Sequence, residues 1–122
     1  MILIDTSIWI DHLHRTDRRL VALLEQDGCA THEYVIEELA LGSIAQRSTL
    51  LSLLGNLRRL PRLTHAELLT LVDQHELLSR GLSVVDVHLL GSVLISPGAA
   101  LWTRDRRLLA ACRDVGAATF SE

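Results

Sequence analysis

Apolar residues along this chain fall into short unbroken runs and longer helical stripes. Ile2-Leu3-Ile4 is an unbroken run with β-branched members, the pattern of a strand buried on both faces inside a parallel sheet. Asp5 ends it, and Thr6-Ser7 favour a helix start, so Ile8 to His14 reads as a short helix. Asp17 is placed to cap a second helix, in which Leu20, Val21, Leu23 and Leu24 form an amphipathic stripe closed by Asp27-Gly28. Cys29-Ala30-Thr31 is a weak second strand. Tyr34 to Leu41 forms a third helix stopped at Gly42, and Leu50 to Leu54 keep helical spacing up to a C-cap at Gly55-Asn56. Leu57 to Pro61 reads as extended, because the residue before a proline is pushed out of the α region.

Two capping boxes follow. Thr64-His65-Ala66-Glu67 opens a helix with Leu68, Leu71, Val72, His75 and Leu78 on one face, ended by Gly81. Ser83-Val84-Val85-Asp86 opens another that is apolar on almost every side, hence buried, and stopped by Ser96-Pro97-Gly98. Ala100 to Thr103 is a further strand, Arg104-Asp105 starts a helix through Leu108, Leu109 and Cys112, and Ala117 to Phe120 is placed as an edge strand. Strands alternating with helices predict a single domain over residues 1–122, a three-layer α/β/α arrangement on a mostly parallel sheet of four to five strands.

Composition narrows the class. At 122 residues the chain has room for one core. With 48% hydrophobic and 22% charged residues and only two prolines, it is globular throughout. Aromatics at 3% argue against stacking platforms for single-stranded nucleic acid. All twelve cations are arginine, which excludes any mechanism needing a catalytic lysine. Cys29 and Cys112 stand far apart in no metal spacing, the usage of reduced thiols in the cytoplasm, so zinc is not expected. Asp5 and Asp11 interrupt the apolar start, against a signal peptide. The uncharged run from Val87 to Thr103 contains Pro97-Gly98 and falls short of the roughly 20 apolar residues of a membrane span.

The candidate chemistry is acidic. Asp5 follows the first strand, Glu38 sits on the third helix, Asp86 lies in the first turn of the buried helix, and Asp105 follows the Trp102 strand. Each has a purely structural role open to it: Asp5 and Asp105 as helix caps, Asp86 as the third position of its capping box, Glu38 as a solvated helix residue. Helical geometry does not separate Glu38 from Glu37. Asp5 and Asp105, however, both fall at carboxyl ends of strands and should meet at one edge, where open α/β folds bind ligands. Four converging carboxylates repel one another unless cations neutralise them, and all-oxygen ligands select Mg²⁺ or Mn²⁺.

Asp5-Thr6-Ser7, Glu38-Leu39-x-x-Gly42, Ser83-x-x-Asp86 and Thr103-x-Asp105 together resemble the PIN-domain ribonucleases. The chain's size and its opening Asp5-Thr6-Ser7-Ile8-Trp9-Ile10-Asp11 are similar to the VapC toxins of bacterial toxin–antitoxin modules. The resemblance spans essentially the whole chain, and no motif position is missing. It implies that Asp5, Glu38, Asp86 and Asp105 are an acidic quartet holding Mg²⁺ or Mn²⁺, and it selects Glu38 over Glu37. It implies further that Thr6, Ser7 and Thr103 orient those carboxylates, and that the activity is metal-assisted hydrolysis of structured RNA. The implied partners are a VapB-like antitoxin and a second copy of the chain, in the cytoplasm and without membrane attachment. Arg104, Arg106 and Arg107 flank Asp105 and are candidates to hold RNA phosphates, with solvation or antitoxin pairing the other roles open to them; Arg58, Arg59 and Arg62 are similarly undecided. His12-x-His14 has no metal spacing, and His88 reads as packing. A receiver domain fits less well for want of any lysine, and a haloacid-dehalogenase-type phosphatase would need an acid where Ser7 stands. The non-enzyme alternative is a catalytically idle PIN-like module that only binds a protein partner.

Overall fold

The computed structural model describes residues 1–122. β1 (Ile2–Ile4) leads into α1 (Thr6–His14) and α2 (Arg18–Glu25), then β2 (Cys29–Thr31), α3 (Glu33–Leu41) and α4 (Arg47–Asn56). The chain continues through β3 (Arg58–Arg59), α5 (His65–Gln74), α6 (Val84–Leu94), β4 (Ala100–Trp102) and α7 (Arg106–Val115). The four strands are parallel in the order β3-β2-β1-β4, with Ile2 opposite both Cys29 and Ala100. With parallel crossovers of the usual right hand, the α1-to-α4 connections fall on one face and the return through α5 and α6 on the other. The contacts agree: α1 and α4 both pack on α3, whereas α6 packs on α5, β4 and α7.

The unbroken apolar strands are buried as their pattern requires. Leu3, Ile4, Leu101 and Trp102 are fully enclosed, and α6 is buried continuously from Val87 to Val93. Both capping boxes close reciprocally: Thr64 with Glu67, and Ser83 with Asp86. No helix is long and apolar enough to cross a membrane.

Three boundaries differ from those the sequence predicts, each for a local reason. α5 ends at Gln74, not near Gly81, because Glu76 takes a left-handed φ of 51° and lets the Leu77 amide reach back to the Val72 carbonyl at 3.0 Å. The closure of α2 at Asp27-Gly28 holds, with Asp27 taking the left-handed φ of 53° and the Gly28 amide reaching the Leu23 carbonyl at 2.8 Å. Gly55 and Asn56 lie inside α4, and Leu57 is its C-cap. The edge strand expected over Ala117 to Phe120 shrinks to one parallel bridge between Leu101 and Thr119, since Leu101 alone exchanges bonds with Ala118 and Phe120.

Gly91 marks the tightest helix contact: a Cβ there would run into the Leu63 side chain and stand 3.2 Å from Leu71 Cδ2. Gly91→Val therefore overpacks the α5–α6 seam and should destabilise the domain by about 1–3 kcal/mol, read as a lower urea midpoint with unchanged m-value.

Candidate active site at the sheet's carboxyl edge

The chain leaves β1 toward β2 on one side and returns to β4 on the other, so the strand order reverses between β1 and β4. In open parallel sheets this reversal leaves a crevice at the carboxyl ends of the two strands, where ligands bind. Asp5 follows β1 and Thr103-Arg104-Asp105 follows β4, one on each side of that crevice. The Asp5 amide donates to the Trp102 carbonyl at 3.0 Å, which ties the two strand ends together.

Asp5 is only 9% exposed, yet its carboxylate is well supplied with donors. The Thr6 amide donates to Oδ1 at 2.8 Å; the Ser7 and Thr103 hydroxyls donate to Oδ2 at 3.2 and 2.7 Å. Burial still pushes its pKa above the ordinary 3.8, the three donors oppose that rise, and the charge of Asp86 adds to it. Thr103, itself buried, also accepts the Asp105 amide at 3.1 Å and so bridges the two acids. Asp105 caps α7, its Oδ1 accepting from the Arg107 and Leu108 amides. Asp86 accepts the Ser83 amide through Oδ2 at 3.0 Å. On α3, Glu38 Oε1 takes the Thr6 hydroxyl at 2.6 Å; Glu37, also exposed, receives no such bond. Adjacent Thr6 and Ser7 thus reach two different acids.

One property marks three of these acids and a second marks all four. Glu38 Oε2, Asp86 Oδ1 and Asp105 Oδ2 each lack a protein donor, although the partner oxygen of each is bonded. None of the four takes part in a salt bridge, although the chain forms eight elsewhere. The side chains are not drawn into a closed coordination cluster. Chemically the set is one buried carboxylate and three with a free oxygen, all hard donors and all without a cationic partner, which fits a hard divalent ion.

The arginines divide. Arg104 is fully engaged by Asp11, Asp17 and Glu122 rather than free beside Asp105. Arg106 and Arg107 are exposed in the first turn of α7 without a carboxylate partner, Arg107 lying against Gly81. Arg59 and Arg62 face Glu33, and Arg58 is unpaired. His12 accepts the Asp17 amide, and buried His88 packs edge-on to Tyr34. Sequence reasoning missed the role of Asp11, Asp17 and Glu122 as anchors, and it missed His32. That buried imidazole caps α3 by accepting the Tyr34 amide, and burial, with His88 next to it, pushes its pKa down to about 4.

The sequence matches the PIN domain family over residues 2–114. The chain belongs to the PIN-domain family. It is a VapC-type member: Ribonuclease VapC32 of Mycobacterium tuberculosis, in strains CDC 1551 and H37Rv alike, is 56% identical over 122 residues, covering 100% of this chain and 98% of that protein. The crystal structure of PAE2754 from Pyrobaculum aerophilum is similar in fold, at a TM-score of 0.58 and 23% identity, over 90% of this chain and 83% of that one.

The raised pKa of Asp5 has a thermodynamic consequence with a definite sign. A carboxyl group with a folded-state pKa above its unfolded value contributes stability below the unfolded pKa and loses it as pH rises through the folded one. Asp5→Asn should therefore melt higher than wild type at pH 7 in chelator, by a few degrees, and the gap should close below the ordinary pKa of 3.8. Thermal melts of both proteins across that pH range check it.

Proposed function

We propose that this PIN-domain protein is a metal-dependent endoribonuclease, the toxin of a toxin–antitoxin pair, hydrolysing phosphodiester bonds in structured RNA. The observation that carries this reading is the uncompensated acid set at the switch point: four carboxylates, one of them buried, without a salt-bridge partner among twelve arginines. The name of the M. tuberculosis relative supports the activity. Asp5, Glu38, Asp86 and Asp105 would hold Mg²⁺ or Mn²⁺, which when bound supplies an activated water and stabilises charge on the scissile phosphate. Thr103 and Ser7 fix the Asp5 carboxylate, and Thr6 fixes Glu38. Arg106 and Arg107, exposed and without a carboxylate partner, would hold the RNA backbone beside Asp105. No nucleophilic side chain is required.

The partners follow from what lies beside the acids. A groove of about 450 Å³ runs from Glu38 past Ile10, Leu13, Leu39 and Ile44, and Ile10 and Leu13 are exposed. An apolar antitoxin segment, VapB-like, laid in this groove would cover Glu38 and close the site. Exposed Leu69, Leu94 and Ile95 on the other side of the domain offer apolar surface for a homodimer. The protein's place is the cytoplasm, where its two buried free thiols stay reduced.

Two measurements test the reading. Cleavage of total cellular RNA should require Mg²⁺ or Mn²⁺ and fall to background in Asp5→Asn; an idle binding module predicts equal background in both proteins. An ion that binds only the folded state, at about 100-fold excess over its dissociation constant, should add roughly 2.7 kcal/mol and raise the melting temperature by several degrees. Asp86→Asn keeps the helix cap and removes one charge, so it should gain less from the ion; a gain equal to wild type's would reduce Asp86 to a cap.

A further inference from the structure

Arg104 stands between two site residues, yet its guanidinium is spent elsewhere. Nε donates to Glu122 Oε1 at 2.6 Å, Nη1 to Asp11 Oδ2 at 2.7 Å and Nη2 to Asp17 Oδ2 at 2.8 Å. These acids come from three separate parts of the fold: the middle of α1, the cap of α2 and the segment after α7. The cluster is knitted further. Glu122 accepts the indole N–H of buried Trp102 at 2.8 Å, and Arg19 pairs with Asp17 at 3.1 Å. The guanidinium carbons of Arg19 and Arg104 each lie 5.8 Å from the Trp102 ring centre.

An isolated surface ion pair orders little. Here a planar fork meets three carboxylates at once, with the Arg104 side chain 33% and that of Asp17 10% exposed, so the geometry is strongly determined. Residue 104 cannot shift without breaking that fork. Its neighbours Thr103 and Asp105 carry the hydroxyl on Asp5 and the cap of α7.

We propose that Arg104 is a positioning residue: its three-way tie to Asp11, Asp17 and Glu122 holds the Thr103–Asp105 turn where Thr103 bridges the two acids, and so sets the affinity of the site for its divalent ion. The inference rests on the metal-site reading above. It also assigns Arg104 a role other than RNA contact, since each of its three guanidinium nitrogens already donates to a carboxylate.

Two effects of removing Arg104 have opposite signs, which makes the test decisive. Loss of a nearby positive charge, by electrostatics alone, tightens cation binding. Loss of the positioning tie weakens it, by about 10- to 100-fold if it behaves as outer-shell partners of metal ligands do. The experiment is calorimetric titration of the full chain with Mn²⁺, for wild type, Arg104→Met, Arg104→Lys and Asp5→Asn, alongside thermal melts in chelator. Arg104→Met should bind Mn²⁺ at least about 10-fold more weakly. Arg104→Lys keeps the charge but cannot make the three-way fork, so it should also bind more weakly while melting close to wild type. Unchanged or tighter Mn²⁺ binding in the folded lysine variant overturns the proposal, and that variant decides the matter if the methionine one does not fold. Asp5→Asn separates the two ideas. If it binds Mn²⁺ as wild type does, the metal-site reading fails; if it loses Mn²⁺ while the Arg104 variants keep it, only the positioning role falls.

Discussion

The hydrogen bond from Thr103 to Asp5 is the contact on which the rest of the site depends. It spans the point where the strand order reverses, joins residues 98 apart in sequence, and is 2.7 Å long with both partners buried. A carboxylate taken out of water is unfavourable unless its oxygens are bonded, and Asp5 receives one amide and two hydroxyls. Even so, burial wins and its pKa is raised. The folded chain therefore carries a negative charge it solvates incompletely. That is the condition under which an added cation binds the folded form in preference to the unfolded one.

The arginines show that this deficit is local. A few residues from the site, Asp11, Asp17 and Glu122 are neutralised by Arg104 and Arg19 at distances from 2.6 to 3.7 Å, and the hydrogen bond from Arg19 first, with Arg104 after it, holds Asp17 well below the usual carboxylate range. Asp5, Glu38, Asp86 and Asp105 receive hydroxyl and amide donors but no guanidinium. Two acid clusters in one small domain thus have opposite electrostatic fates. The paired one fastens helices to the sheet edge, and the unpaired one keeps its negative charge without a guanidinium partner.

Where a residue's role was local, it could be read from the sequence. Ile2-Leu3-Ile4 ended by Asp5, and the two capping boxes, are governed by neighbours within four positions, and the structure places them as their spacing requires. Roles that depend on tertiary contact were hidden. Glu37 and Glu38 are equivalent on a helical wheel; only the Thr6 hydroxyl, 32 residues away, distinguishes Glu38. The role of Arg104 stayed open between RNA contact, solvation and antitoxin pairing because its three partners are 18, 87 and 93 residues distant. Glycine misled at two helix ends, because Glu76 takes a left-handed φ well before Gly81 and Gly55 lies inside α4.

The central claim is that Asp5 is an underneutralised carboxylate completed by a divalent ion, and carbon-detected NMR of the Asp5 carboxyl group tests it most directly. In chelator its titration midpoint should lie above the ordinary carboxylate value, and saturating Mg²⁺ should lower it below that value, because a bound cation favours the ionised form. A midpoint at the ordinary value that does not move with Mg²⁺ would contradict the account.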